Sequence, residues 1–142
     1  MTKYQSEIKT ISSSEEVVFG ILSDLNHLEK LKNQDIASGK LKVLECNADS
    51  CLLEIEQVGR IGFRIVEKEA YKTIKFESFQ LAVEVNAWIH LEQVAEKETK
   101  MELTLAANLP PLLKMMLNKK LERGINMLAD FFESFLNNQL SS

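Results

Sequence analysis

Histidine is the side chain most often used for acid–base chemistry near neutral pH, and this chain has two histidines, His27 and His90. Either one would need a carboxylate, a thiol or a second histidine beside it to form a catalytic or metal site. His27 falls in a predicted turn between two helices. His90 is out of phase with the apolar neighbours Ile89 and Leu91, so it is expected to face solvent. We therefore predict no catalytic residue and no metal ligand.

The two cysteines, Cys46 and Cys51, flank the turn sequence Asn-Ala-Asp-Ser and are expected to face each other across a β-hairpin. They are compatible with a cross-strand disulfide or redox pair, or with two reduced thiols that pack as small apolar side chains. We favour the thiols, and the spacing is not that of a C-x-x-C motif. The inward residues of the hairpin are predicted to be Leu44, Cys46, Cys51, Leu53 and Ile55.

Arg60 and Arg64 lie on one face of a predicted strand together with Gly62. If that face pointed inward, the two guanidinium groups could bind an acidic head group. The apolar residues that alternate with them, Ile61 and Phe63, favour the opposite orientation. The sequence also lacks the H-E-x-x-H, G-x-S-x-G and phosphate-loop motifs of common enzymes.

Composition limits the class of protein. The chain has 142 residues, of which 45% are hydrophobic and 27% charged, with a net charge of −4, which predicts one globular domain over residues 1–142. The acidic balance argues against a nucleic-acid surface and against a polybasic membrane anchor. No apolar run reaches the ~20 residues of a membrane span, and the first ten residues do not resemble a signal peptide. We expect a cytoplasmic protein without a cofactor, as a monomer or weak dimer.

The elements that would position any site are predicted from hydrophobic periodicity. Ser13 and Glu16 have the spacing of a helix-capping box and precede an apolar helical face. After residue 40 the period changes to two, which is typical of strands with one buried face. The predicted order is a strand at 3–11, two short helices, strands at 40–46, 51–58, 60–68, 73–79, 81–94 and 99–107, and a helix at 110–138.

The C-terminal helix is the longest element, and it begins at the pair Pro110 and Pro111. Its apolar stripe is predicted to comprise Leu113, Leu117, Leu121, Gly124, Leu128, Phe131, Phe132 and Phe135. A glycine inside a helix costs about 1 kcal/mol relative to alanine. Gly124 therefore indicates either space for a ligand or a close approach of the helix backbone to the sheet.

Two parts of the chain, a helix and a strand pair, resemble those of a known family. The segment 14–24, SEEVVFGILSD, is similar to the opening helix of the START-like (SRPBCC) superfamily, and the segments 89–92 and 99–104 are similar to a strand pair of that superfamily. This chain differs from the family at Ile89, where an aromatic residue is common, and at Glu98, which replaces a glycine. The superfamily includes birch-pollen-allergen-like lipid-binding proteins and polyketide cyclase/dehydrase-like proteins.

The resemblance implies an α+β helix-grip fold. In this fold a curved antiparallel sheet of about seven strands wraps around a long C-terminal helix, with two short helices between strands 1 and 2. It also implies a pocket between the helix and the concave face of the sheet. We predict that a hydrophobic or amphipathic small molecule, such as a lipid or polyketide, binds there without being chemically changed. The predicted lining residues are Phe63, Phe76, Val85, Ile89, Met101, Leu117, Leu121, Gly124 and Leu128.

Other interpretations of the sequence stay open. The same cavity could belong to a polyketide cyclase or hydratase if His90, Glu92 or Arg64 pointed into it. The domain could instead bind a protein partner, with a collapsed core and an apolar patch around Phe79 and Trp88. The flexible side chains of Met101, Met115, Met116 and Met127 could suit an adaptable pocket, although ordinary core packing is the more frequent role of methionine.

Overall fold

The computed structural model describes residues 1–32, 34, 36, 39–56, 59–81 and 83–140. It contains eight strands, two α-helices and one 3₁₀ helix within these residues. The elements are β1 (Thr2–Gln5), β2 (Lys9–Ile11), α1 (Glu15–Leu22), the 3₁₀ helix (Leu25–Leu31), β3 (Leu41–Cys46), β4 (Ser50–Ile55), β5 (Gly59–Glu69), β6 (Thr73–Phe79), β7 (Val85–Ala95), β8 (Glu98–Ala107) and α2 (Pro111–Leu140).

The strands form one antiparallel sheet, in the order β1-β8-β7-β6-β5-β4-β3, and β2 also pairs with β8. Strands β3 to β8 follow one another as a meander, because each connection is short. The helix α2 lies against this sheet, and the two short helices precede β3. The predicted α+β helix-grip fold is therefore confirmed.

The predicted strand 3–11 is divided into β1 and β2, which both pair with β8. Between the two paired segments this part of the chain has one residue more than the facing stretch of β8. Gln5 is opposite Thr104, but Lys9 is opposite Met101. Ser6 occupies the irregular position: its hydroxyl accepts a hydrogen bond from the Leu103 amide at 2.9 Å. The side chain of Ser6 thus replaces a main-chain partner where the ladder is interrupted.

The start of α1 also differs from the prediction. Its N-cap is Ser14, whose hydroxyl accepts a hydrogen bond from the Val17 amide, so Ser13 and Glu16 do not form the capping box. The carbonyl of Ser13 instead accepts a hydrogen bond from the Thr99 hydroxyl at 2.7 Å. This contact connects the chain before α1 to β8.

The first hairpin contains a bulge that the alternation of its residues did not reveal. The register shifts between Val43 and Glu45, so Leu41 and Val43 are buried in place of Leu44. Cys46 and Cys51 are directly opposite each other and form a disulfide, which contradicts the expected reduced thiols.

Two predicted strands are shorter than expected. The predicted strand 51–58 ends at Ile55, and residues 57 and 58 lie outside the described part of the chain. The predicted strand 81–94 begins only at Val85.

Asparagine side chains fix the helix α2 to the N-terminal strands. Asn118 accepts a hydrogen bond from the Tyr4 hydroxyl at 2.8 Å, and burial raises the pKa of that hydroxyl. Asn126 and Asn137 accept hydrogen bonds from the main-chain amides of Glu7 and Ser12. These contacts hold one flank of α2 beside β1 and β2.

The buried face of α2 is accordingly rotated from the predicted stripe. Ile125, Ala129 and Leu136 are among its most buried residues, although none of them was assigned to that stripe. The backbone of α2 lies nearest to β1, β2 and β8. Side chains such as Leu128 and Phe131 reach the opposite half of the sheet, where they pack against the cluster of Leu41, Ile55 and Ile61.

Candidate functional site

A cavity of about 80 Å³ lies between the sheet, the short helices and the second half of α2. The two short helices cover it from one side, and β4 to β8 form its floor. It is lined by Leu22, Leu25, Leu28, Cys51, Leu53, Phe63, Phe76, Ala87, Trp88, Ile89, Leu103, Thr104, Leu105, Ile125, Leu128 and Phe132.

The walls of this cavity are almost entirely hydrocarbon. Among its lining residues only Trp88, Thr104 and the disulfide-bonded Cys51 carry a heteroatom in the side chain. Trp88 is directly opposite Thr104 in the sheet and lies next to Lys75, whose Nζ is 5.6 Å from the centre of the indole ring. Ala87 lies on the other face of β7, so the side chains of Trp88 and Thr104 belong to the outer face. The two residues therefore border the cavity with their main chain.

The burial of the lining residues indicates where the cavity is most accessible. Leu22, Leu25 and Leu28 lie on the two short helices and are buried. By contrast, Leu53 and Phe132 are only half-buried and lie on β4 and on the second half of α2. The accessible side is therefore the gap between α2 and the far half of the sheet.

A wider groove of about 590 Å³ lies further along the same two helices. It is bordered by the 3₁₀ helix and by the C-terminal part of α2, where Phe131 and Phe135 stack with ring centroids 6.0 Å apart. The ammonium group of Lys30 lies 5.7 Å from the centre of the Phe135 ring and donates a hydrogen bond to Gln139. Unlike the cavity, this groove has both polar and apolar walls.

Only some of the predicted lining residues border the cavity. Phe63, Phe76, Ile89 and Leu128 do so. The cavity meets α2 after Gly124, so the residues predicted from its first half lie outside the lining. The predicted residues that do not border it are Val85, Met101, Leu117, Leu121 and Gly124. A role in ligand binding stays a prediction for all nine.

The four methionines noted in the sequence also lie elsewhere. Met101 is buried in the main core, and Met127 packs against the residues Leu41 and Ile55. Met115 and Met116 are exposed to solvent on the first turns of α2. None of the four is among the lining residues of the cavity.

The candidate polar groups do not reach the cavity either. Arg64 lies on the outer face of β5, with its guanidinium group 4.9 Å from the centre of the Phe79 ring. Glu92 is exposed, and His90 is opposite Glu102 and Thr73 on that same outer face. Within the described residues no three His, Cys, Asp or Glu side chains are placed to hold a metal ion.

Besides that of the buried Tyr4, two pKa values are displaced, and both belong to ion pairs. A hydrogen bond from Lys9 to Asp130, at 2.5 Å, raises the pKa of the lysine. A hydrogen bond from Lys72 lowers the pKa of Glu15. Both pairs tie elements of the fold together and neither borders the cavity.

Gly124 has open space around it, which contradicts a close approach of the helix backbone to the sheet. A Cβ atom built on Gly124 would meet no atom outside its own helix within 4 Å. Gly124→Ala is therefore expected to raise the free energy of unfolding by up to about 1 kcal/mol, through helix propensity. Urea unfolding measures the change, with Gly20→Ala in α1 as the matched variant, since its Cβ also meets open space. A loss of stability in Gly124→Ala alone would contradict the geometry.

Solved structures with the same fold are found across the whole chain. Norcoclaurine synthase from Thalictrum flavum matches with a TM-score of 0.73 at 12% identity, over 99% of this chain and 87% of that chain. A START superfamily protein from Mycobacterium smegmatis matches with a TM-score of 0.62 at 15% identity, over 96% and 98% of the two chains. No protein-family model and no curated protein matches the sequence.

A third match is the di-domain ARO/CYC protein BexL from the BE-7585A biosynthetic pathway. Its TM-score is 0.67 at 11% identity, and the match covers 99% of this chain but 47% of that one. The chain therefore has the fold of the START-like superfamily, as its two sequence segments indicated. At these identities the likeness concerns the fold alone.

Proposed function

We propose that this protein binds a hydrophobic or amphipathic small molecule between the sheet and α2. The observation that carries the proposal is a cavity whose inward side chains are hydrocarbon, apart from the disulfide sulfur of Cys51. An apolar cavity of this kind excludes water and favours apolar guests. The aromatic rings of Phe63, Phe76 and Phe132 offer large contact areas to such a guest.

The free volume limits what can enter. A cavity of about 80 Å³ is well below the ~300–1,000 Å³ of pockets that bury drug-sized ligands. A lipid-sized ligand must therefore displace side chains on the accessible side, where Leu128 and Phe132 are half-buried. These two residues lie on α2, away from its anchored flank, and can move without breaking the asparagine contacts.

The groove beyond the cavity supports an amphipathic ligand in particular. The cavity and the groove lie along the same pair of helices, with Leu28 beside the cavity and Leu31 beside the groove. An apolar tail in the cavity would place a polar head group near Lys30 and Gln34. A carboxylate or phosphate there would meet the ammonium group of Lys30.

Catalysis is the second candidate, and it rests on the fold alone. A cyclase or hydratase requires polar groups aimed at the bound chain. His90, Glu92 and Arg64, which the sequence suggested for this role, lie on the outer face of the sheet or in solvent. We therefore assign none of these three residues a catalytic role.

The third candidate, a protein-interaction domain, is favoured by the small size of the cavity. It requires an apolar patch on the outer face, around Phe79 and Trp88. Both side chains are half-buried and each is covered by a cation, Arg64 or Lys75. That covering favours the ligand-binding proposal over the protein partner.

The proposal is tested with medium-chain fatty acids, small aromatic compounds and aromatic polyketides. Native mass spectrometry should detect a one-to-one adduct with at least one of these compounds. The same compound should raise the melting temperature, because at 100 times Kd a ligand stabilises by about 2.7 kcal/mol. A panel without adducts and without thermal shifts would contradict the proposal.

The cytoplasmic location and an oligomeric state of monomer or weak dimer belong to the same proposal. Within the described residues no helix combines the length and apolar character needed to cross a bilayer. A disulfide is rare in a reducing compartment, so the oxidation state of Cys46 and Cys51 in cells bears directly on the location. The Cys46–Cys51 disulfide counts against a cytoplasmic location. Thiol labelling after rapid acid quenching tests it: cysteines that are reduced in cells would support the location, and an intact disulfide would contradict it.

A further inference from the structure

The first two turns of α2 expose three large apolar side chains. Leu112, Met115 and Met116 are 69%, 81% and 62% exposed. Their spacing of three and four residues places them together on one face of the helix. This face points away from the buried residues of α2, so packing within the described structure does not account for them.

Cations continue the same face in the next two turns. Lys119 and Arg123 follow Met115 and Met116 at helical spacing, and Lys120 lies beside them. All three are exposed. Within the described residues, none of them has an ion-pair partner. We call Leu112, Met115, Met116, Lys119, Lys120 and Arg123 the helix-start patch.

The charge of this region is opposite to that of the rest of the protein. Residues 111–124 contain Lys114, Lys119, Lys120 and Arg123 against one anion, Glu122, which is a net charge of +3. The whole chain has a net charge of −4, so the remainder carries −7. A local basic cluster on an acidic protein indicates an anionic partner that is met at this surface.

We propose that the helix-start patch docks the protein onto the surface of an anionic lipid bilayer. Leu112, Met115 and Met116 would enter the head-group region, and the cations behind them would contact lipid phosphates. Exposed apolar residues beside Lys and Arg on a helix are the features of reversible interfacial binding. This goes beyond ligand binding in the cavity, because it requires neither the cavity nor a ligand.

A second copy of the chain fits the patch less well. A symmetric contact would bring the two basic clusters toward each other, and like charges across an interface are unfavourable. An anionic bilayer meets both parts of the patch, since it offers an apolar interior and negatively charged head groups. The charge of the patch therefore favours the bilayer.

Co-sedimentation with vesicles tests this docking. The wild-type protein should bind vesicles of phosphatidylcholine mixed with phosphatidylglycerol, and added NaCl should weaken the binding. Pure phosphatidylcholine vesicles should bind it weakly or not at all. Lys119→Ala, Lys120→Ala and Arg123→Ala should each lower the partition coefficient about fivefold, from about 1 kcal/mol per basic residue near an anionic surface.

The apolar part of the patch is tested by the double variant Met115→Glu/Met116→Glu, which should lose vesicle binding. Val66→Glu/Val94→Glu is the matched control, since these valines are 44% and 50% exposed on the sheet. This control should bind as the wild type does, and circular dichroism should show all variants folded.

Three results would overturn the docking. These are no binding of the wild type to anionic vesicles, equal binding to neutral ones, or unchanged binding of the methionine variant. A dimer in gel filtration that the methionine variant disrupts, without vesicle binding, would assign the patch to a second copy instead. None of the patch residues lines the cavity, so the patch variants change vesicle docking without changing the cavity, and failure of the docking leaves the ligand-binding proposal standing.

Discussion

Ala87→Leu is expected to weaken the binding of an apolar ligand at least tenfold without unfolding the protein. Ala87 lies opposite Phe76 and Leu105 in the sheet, on the face that borders the cavity. A leucine there adds three carbons to a free space of about 80 Å³ and so competes directly with a guest. A tenfold loss corresponds to about 1.4 kcal/mol of binding free energy.

The stability of Ala87→Leu is expected to hold or to rise. Burial contributes about 0.8 kcal/mol for each added CH₂ group if the space is free, whereas overpacking costs about 1–3 kcal/mol. Urea unfolding and calorimetric titration with a compound from the panel measure both effects. Ala95→Leu, at the exposed end of β7, is the matched control and should change neither. A clear destabilisation of Ala87→Leu would mean that no usable space exists beside Ala87.

Phe76→Ala is expected to have the largest effect on stability, a loss of about 3–5 kcal/mol. Phe76 is 8% exposed and forms part of the cavity wall, so its removal both loses apolar burial and enlarges the cavity. An enlarged apolar cavity should accept guests that the wild type excludes. Small aromatic compounds should therefore restore part of the lost stability.

Leu136→Ala provides the comparison for this rescue. Leu136 is fully buried on α2 but does not border the cavity, and its truncation should cost about 2–5 kcal/mol. The same aromatic compounds should stabilise Phe76→Ala more than Leu136→Ala at equal concentration. If the compounds stabilise the two variants equally, or stabilise neither, the cavity beside Phe76 does not bind them in preference to other sites.

The elements and their order were predictable because the hydrophobic periods are regular over long segments, and the resemblance to the START-like superfamily implied the helix-grip arrangement. The strand predicted at 73–79 is β6 with the same bounds, and the strand predicted at 99–107 is β8, which begins one residue earlier. One-sided burial requires a period of two, so the pattern carries the information directly. The long helix was recognisable because a pair of prolines begins it and no further proline interrupts it.

The errors occurred where hydrogen bonds, rather than periodicity, determine the structure. Ser6 interrupts the first strand through its hydroxyl, and a bulge after Val43 reverses the inward residues of β3. A one-residue shift exchanges the two faces of a strand, so alternation alone assigns the residues beyond the shift to the wrong face.

The site was only partly predictable because its position depends on how α2 is rotated. The asparagines that set this rotation, such as Asn118 and Asn126, have no apolar signal, and they bond to strands more than a hundred residues away. The predicted lining therefore included Leu117 and Leu121 but not Ile125 or Phe132. The rotation of α2 had one signal in the sequence, which is the recurrence of asparagine along one flank of an amphipathic helix.

The most direct test of the ligand-binding proposal is an NMR titration of the ¹⁵N-labelled protein with the best compound of the panel. The proposal predicts saturable shifts of the amides around Phe63, Phe76 and Ala87 and on α2 from Ile125 to Phe132, and it predicts that Ala87→Leu loses them. Absence of such shifts at saturating compound, or shifts confined to residues 112–123, would contradict binding between the sheet and α2.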